Sequence, residues 1–281
     1  MKKFKLMIAL GLIFSTFSCA GVYHAHSGFL PVSTKNGDAT VVVIFKDIIE
    51  VKATEDQEKI FKILEDIISQ GNYKGLPVGD AKIKISKKKD HFTIVVTGHG
   101  SGVVLKQDEK NAFILTNHHV VSDDKGNNWP FICVAKEMFE NCVPALVVAK
   151  DKDYDLAVIA VDSNEIKFED TVKIATGEEF YQPGRKIYNW GFPIWYKKTV
   201  GWGYLSTPSS PEKYFGKGDR LLGQLPDGPG TSGSGIFDAK THKLIGLMQG
   251  SANYNYFMIR YFIPSDYIEK FLKKNKIPFS K

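Results

Sequence analysis

Hydrophobic and polar positions alternate along this chain with two different periods. Ala39 to Phe45 is a continuous apolar run rich in β-branched residues, which predicts a buried strand. Between Thr54 and Gly71 the spacing becomes helical: Ile60, Phe61, Ile63, Leu64, Ile67 and Ile68 form a stripe, Thr54 and Gln57 a capping pattern, and Gly71 a stop. This predicts a helix over 55–70, whose stripe packs on the body of the fold or meets a partner. From Ala81 onward short apolar runs are separated by turns: 83–85, 91–97, 102–105 and 112–116. No strand–helix–strand alternation interrupts them, so the pattern predicts a mainly antiparallel β protein, barrel or sandwich. An amphipathic run from Ser265 to Lys274 predicts a C-terminal helix.

The first residues do not belong to that pattern. Lys2, Lys3 and Lys5 precede an apolar run from Leu6 to Phe17 that is too short to span a membrane and suits an export signal, giving a signal segment over 1–20. Cleavage after Ala20 competes with a lipobox-like reading of Ser18-Cys19-Ala20-Gly21, in which Cys19 becomes the lipidated first residue. The expected location is therefore exported: periplasmic, cell-surface or secreted, with a lipid anchor at Cys19 as the one route to a membrane. Residues 21–38 lack periodicity and read as a linker. His24 and His26 lie within it, but no cysteine or carboxylate nearby completes a metal set.

Losing the three lysines lowers the formal charge from +6 to +3, too mild and too dispersed to argue for nucleic acid. The dense run Lys87-Lys88-Lys89 is followed by Asp90 and contains no aromatic residue, which reads as a solvated turn. Of the three cysteines, Cys133 and Cys142 remain after the signal, on neighbouring predicted strands joined by 136–141. Two readings stay open for them, a cross-strand disulfide or a pair of buried thiols, and neither leaves a zinc site. Trp190, Trp195, Trp202, Tyr196 and Tyr204 gather in the second half and read as core and loop packing.

Candidate chemistry lies in three places. Gly230-Thr231-Ser232-Gly233-Ser234-Gly235 surrounds a serine with glycines that permit a tight turn and aim successive N–H groups into one concavity. A serine hydroxyl needs a base and oxyanion donors to act as a nucleophile. His119 closes the apolar run 112–116 within Thr116-Asn117-His118-His119-Val120-Val121, and is expected at a strand end with His118 facing the opposite way. Asp155 heads the apolar run Leu156 to Val161, where a carboxylate beside an imidazole would orient it and stabilise its protonated form.

These segments, in the order His119, Asp155, Ser232, resemble the trypsin-like (chymotrypsin-fold) serine peptidases, and in particular bacterial Deg/HtrA and glutamyl-endopeptidase types. The likeness also includes Gly100-Ser101-Gly102-Val103-Val104 and Phe262-Ile263-Pro264-Ser265, and extends over about residues 39–275. It implies Ser232 as nucleophile, His119 as base then acid, Asp155 as orienting carboxylate, and the N–H groups of Gly230 and Ser232 as oxyanion hole. It also implies that 225–229 and 246–251 wall the primary specificity pocket, which nominates Asp227, Gln249, Gly250 and Ser251. Thr231 stands where that family often carries Asp or Asn. Ending at Lys281, the chain is expected to lack the PDZ domain that Deg/HtrA peptidases usually add.

The expected architecture is all-β: two antiparallel six-stranded barrels, about 39–165 and 166–263, with the inserted helix and the C-terminal helix. The resemblance supplies the barrel count; the pattern alone gives mainly β. The expected activity is hydrolysis of protein or peptide substrates through an acyl-enzyme, with no metal or organic cofactor. The rivals are a catalytically silent binding or assembly protein on the same fold and an esterase using the same triad. Oligomeric state is not addressed by the sequence.

Overall fold

Long apolar strands dominate because several must bury both faces at once. The computed structural model describes residues 36–52, 72–73, 76–77, 82–88, 91–211, 217–251 and 259–281. The signal segment, nearly all of the linker and the predicted helix 55–70 lie outside the described residues. The described chain falls within one unit, Thr34–Lys281.

The first half is a curled antiparallel sheet of eight strands. Its members are β1 (Thr40–Lys52), β4 (Lys82–Lys88), β5 (His91–Gln107), β6 (Asn111–Thr116), β7 (Phe131–Ala135), β8 (Val143–Pro144), β9 (Leu146–Asp151) and β10 (Leu156–Asp162), in the order β8-β7-β1-β5-β6-β10-β9 with β4 alongside β5. A two-residue pair, β2 (Asn72–Tyr73) and β3 (Leu76–Pro77), stands apart. Period-2 alternation sorts each strand's side chains. On β10, Ala157, Ile159 and Val161 fill the interior of the curled sheet, whereas Leu156 and Val158 face a second cluster with Tyr188, Phe237 and Leu247. β5 divides likewise, Ile94, Val96 and Val104 inward, Val103 and Leu105 towards the second half. A strand buried on both faces reads as an unbroken apolar run, as 156–161 does. Each such fully buried aliphatic side chain contributes about 1.5–3 kcal/mol.

The second half closes. β11 (Lys186–Gly191), β12 (Thr199–Pro211), β13 (Asp219–Gln224), β16 (Ile259–Pro264), β15 (Leu244–Ser251) and β14 (Gly235–Asp238) pair in that order into a six-stranded barrel. Its interior holds Ile187, Leu205, Leu221, Ile236, Ile245, Met248 and Phe262. The C-terminal helix forms as expected, Ser265–Lys274, and sets Ile268, Phe271 and Leu272 into the cluster shared by the two halves. Buried Ser265 anchors its start, donating to Ala175 O and pairing with Tyr181 OH at 2.8 Å. The chymotrypsin-like all-β architecture is thus present, its second half a closed barrel and its first a curled half-barrel sheet. Cys133 and Cys142 form a disulfide, with Cα atoms 5.4 Å apart, at the pairing of β7 with β8.

Candidate active site

β6 ends at Thr116, whose hydroxyl donates to Ser101 O at 2.8 Å, and the chain then winds into a single turn, α1 (His118–Val121). The expectation placed His119 on a strand end; the structure places it in this turn. The reason lies 36 residues away. Asp155 O accepts from His118 N at 3.2 Å and Asp155 Oδ1 from His119 N at 3.0 Å, so the orphan N–H groups that open the turn are capped by another segment. Asn117 Nδ2 also reaches Asp155 O, at 3.1 Å. Held from three sides, Asp155 adopts φ +58°, a left-handed conformation that Asp tolerates better than most residues.

The imidazole of His119 meets the carboxylate through Nδ1, 2.9 Å from Oδ2 and 3.1 Å from Oδ1. An ionised carboxylate only accepts, so Nδ1 carries the proton and Nε2 is left as the acceptor. The His119 side chain is 47% exposed and that of Asp155 12%. Desolvation opposes protonation of His119, but the charge and hydrogen bond of Asp155 outweigh it and hold the imidazole above its ordinary value. Burial likewise works against ionisation of Asp155, and the His119 charge, the bonds from His119 and the Gln249 amide together keep its carboxyl below the usual value. His118 is buried, and desolvation lowers its basicity despite Asp155 nearby.

Ser232 sits in a turn that only glycine permits on either side. Gly230 has φ +101° and Gly233 φ +86°. A Cβ on Gly230 would run into His99 Nε2 and Phe192 O, and one on Gly233 into Ser101 O. Ser101 N donates to Ser232 O at 2.7 Å, and Gly233 N to Met248 O at 2.9 Å. Ser101 Oγ donates to Gly230 O at 2.8 Å and accepts from Phe192 N at 3.1 Å. Among the described residues the N–H groups of Gly230 and Ser232 donate to nothing. The Ser232 hydroxyl donates to Gln249 O at 3.2 Å, and Gln249 Nε2 donates to Asp155 Oδ2 at 3.0 Å. One residue therefore joins the serine of the second half to the carboxylate of the first.

The Trypsin-like peptidase domain family matches residues 100–247, more than half of the chain and a span that includes His119, Asp155 and Ser232. The chain belongs to that family. Among solved structures, the HtrA-type protease AlgW with decapeptide is 17% identical at a TM-score of 0.60, over 86% of this chain and 66% of that one. AlgW with tripeptide gives 17%, 0.58, 87% and 62%. Rv3671c from M. tuberculosis H37Rv, in an inactive form, is 18% identical at a TM-score of 0.50, over 63% of this chain and 82% of that one. At such identities the likeness is one of fold, and this chain spans less than two thirds of the AlgW chains.

In this member of the trypsin-like peptidase domain family the residues nominated for the specificity pocket lie in different settings. The Asp227 side chain is 7% exposed: Oδ1 accepts from Thr231 Oγ1 at 2.5 Å and Oδ2 lies 2.9 Å from Arg260 Nε. Burial pushes its carboxyl up, against the pull of Thr231 and Arg260. Gln249 is 5% exposed, and its amide is bonded to Asp155 and to Arg220. Gly250 is half-buried and Ser251 exposed at the end of β15. Arg260, Arg220 and His99 were not singled out from the sequence. His99 Nε2 bonds to Phe192 O at 2.8 Å, its ring lies 4.2 Å from that of Trp195, and burial lowers its pKa to about 4, with Phe192 opposing and Lys82 reinforcing the shift. A histidine two residues before a buried serine, within the otherwise small-residue stretch Gly98-His99-Gly100-Ser101-Gly102, is the signal that was available. Among the described residues no cluster of His, Cys, Asp and Glu is arranged to hold a metal ion.

Proposed function

We propose that the protein hydrolyses peptide bonds through an acyl-enzyme, with Ser232 as nucleophile, His119 as general base then acid, and Asp155 as orienting carboxylate. The observation that carries this reading is the His119–Asp155 pair linked to Ser232 through Gln249. Asp155 presets the tautomer, so that Nε2 takes the serine proton as the hydroxyl leaves Gln249 O for the imidazole. The N–H groups of Gly230 and Ser232, which donate to nothing among the described residues, supply the oxyanion donors, with Gly230 O turned back to Ser101. Asp155 stabilises the imidazolium, which then protonates the leaving amine; water, activated by the same imidazole, releases the acid. Residues 225–229 and 246–251 flank the acyl side of the substrate. Because Asp227 is paired with Arg260, we expect no strong preference for basic residues.

We expect peptide and protein substrates, and the fold-related AlgW structures hold a tripeptide and a decapeptide. We place the protein outside the cytoplasm, released or tethered through Cys19. The basic and apolar start of the chain supports this, as does a disulfide between Cys133 and Cys142, a bond that persists in oxidising compartments.

A fluorophosphonate probe tests the reading. The parent protein should be labelled, and the Ser232→Ala and His119→Ala variants should not. Labelling followed by turnover of esters but of no peptide in a library would make the protein an esterase. A folded parent that is not labelled would leave a silent binding protein on this fold.

A further inference from the structure

A fully buried guanidinium lies close behind the candidate triad. Arg220, on β13, has 0% exposure, and Nε donates to Gln249 Oε1 at 2.6 Å. Its Nη1 donates to the carbonyls of Lys217 at 2.8 Å and Gly218 at 3.1 Å. A charge removed from water in this way is costly, and such groups persist where hydrogen bonds and an opposite charge compensate them. We propose that Arg220 and Gln249 are positioning residues of the site, a buried guanidinium–amide relay that orients Asp155 at the carboxylate oxygen it shares with His119 and holds Ser232 through the Gln249 main chain. The proposal rests on the reading of His119, Asp155 and Ser232 as a triad.

Hydrogen-bond chemistry makes the relay directional. Arginine only donates and an ionised carboxylate only accepts, so a single orientation of the Gln249 amide satisfies both neighbours, Oε1 towards Arg220 and Nε2 towards Asp155. Asp155 Oδ2 then accepts from His119 Nδ1 and Gln249 Nε2, while Oδ1 accepts from His119 N, which leaves the carboxylate little freedom to rotate. The same Gln249 accepts the Ser232 hydroxyl on its main-chain oxygen. Displacement of β15 at this residue would move the support of both triad partners together.

Charge matters as well as geometry. Arg220 and Asp155 are within electrostatic reach of one another, and Tyr154, Tyr267 and Asp219 also face the guanidinium. On the first half, Lys150 and Lys152 act with Asp155 on the field at His118, beside His119. The cation of Arg220 offsets part of the Asp155 charge. The imidazole therefore gains a proton from the serine without retaining it too strongly to protonate the leaving group.

The decisive variant is Gln249→Glu. It keeps the size of the side chain and gives Arg220 a stronger acceptor, but it replaces the donor to Asp155 with a second anion. The purified protein, carrying 13C-labelled histidine, is titrated by NMR, with the His119 signal assigned from His119→Ala. In Gln249→Glu the His119 midpoint should rise by about one pH unit. The acid limb of fluorophosphonate labelling should move with it, slowing labelling at neutral pH by up to about tenfold. Arg220→Met should move the midpoint in the same direction. If Gln249→Glu does not fold, Gln249→Leu removes the donor without adding charge and should raise the midpoint by less. An unmoved midpoint and acid limb in a folded, labelled variant would overturn the relay, because a side chain that bonds Asp155 cannot become an anion without changing the field at His119. A shifted midpoint in a protein whose parent is never labelled would uphold the relay and sink the peptidase reading instead.

Discussion

The two halves of the site are made differently. In the first half, His119 and Asp155 meet by direct side-chain hydrogen bonds, and the short turn that carries the histidine is itself capped by the aspartate. In the second, Ser232 is placed by backbone: a loop with two positive-φ glycines, held from behind by Ser101 and His99 of the first half and by Met248. A site of the first kind fails chemically when one group changes, whereas a site of the second kind fails in chemistry and stability together. The contrast extends to the histidines. His119 is half-exposed and made more basic by its partner, while His99 is buried and made less basic by its surroundings.

The sharpest test of that contrast is Asp155→Asn, which keeps shape but removes the charge that presets the tautomer. We expect kcat to fall about 10,000-fold with little change in melting temperature. A parallel loss of stability would show that the carboxylate serves mainly to cap α1. Gly230→Ala should do the reverse in proportion. Alanine keeps the main-chain N–H proposed as an oxyanion donor but resists the φ that aims it, so misplacing it should cost up to what loss of one such donor costs, about 100- to 1,000-fold in kcat. The strained φ adds about 1–3 kcal/mol of destabilisation, and the Cβ meets His99 and Phe192. Urea unfolding together with single-turnover kinetics reads both; a folded, equally stable Gly230→Ala would mean that the loop is adaptable rather than clamped.

Smaller in effect, but specific in sign, is the pH dependence set by His99. Its folded-state pKa, about 4, lies below the ordinary 6.5, so between those values the unfolded chain binds a proton that the folded chain refuses. Stability should therefore fall as pH drops from about 6.5 to 4, by about 3 kcal/mol from this group. His119 acts oppositely: its raised value stabilises the fold below the ordinary histidine pKa, and that contribution is lost as pH rises through the folded value. His99→Gln retains a donor for Phe192 O and cannot titrate. Urea midpoints across pH 4–7 should flatten in this variant; an unchanged slope would assign the acid sensitivity to other groups.

Much of this was legible in the sequence, for reasons that differ from one element to another. The strand ending at Thr116, the run 156–161 and the C-terminal helix follow from periodicity, because burial acts on every second or every third and fourth residue. The Gly-x-Ser-Gly-x-Gly run disclosed its turn because few other residues accept those backbone angles. His119 was expected on a strand, since the groups that cap its helical turn come from Asp155, far along the chain. The pairing of Cys133 with Cys142 remained open between thiols and a disulfide until β7 and β8 were seen side by side. The resemblance nominates Asp227 for the pocket, and only Arg260, on β16, reveals that its charge is already paired.

By itself the sequence determined which segments are strands, where the chain must turn, and which serine, histidine and aspartate resemble the triad of a serine peptidase. Those properties are local: they depend on side-chain periodicity, on glycine's freedom and on the intrinsic reactivity of hydroxyl, imidazole and carboxylate. Tertiary structure alone decided which charges are compensated. Arg220 beside Gln249, Arg260 beside Asp227, and His99 beneath Gly230 are contacts between segments far apart in sequence. The free energy of a buried polar group is set by the partner that reaches it, and no local pattern records which partner that will be.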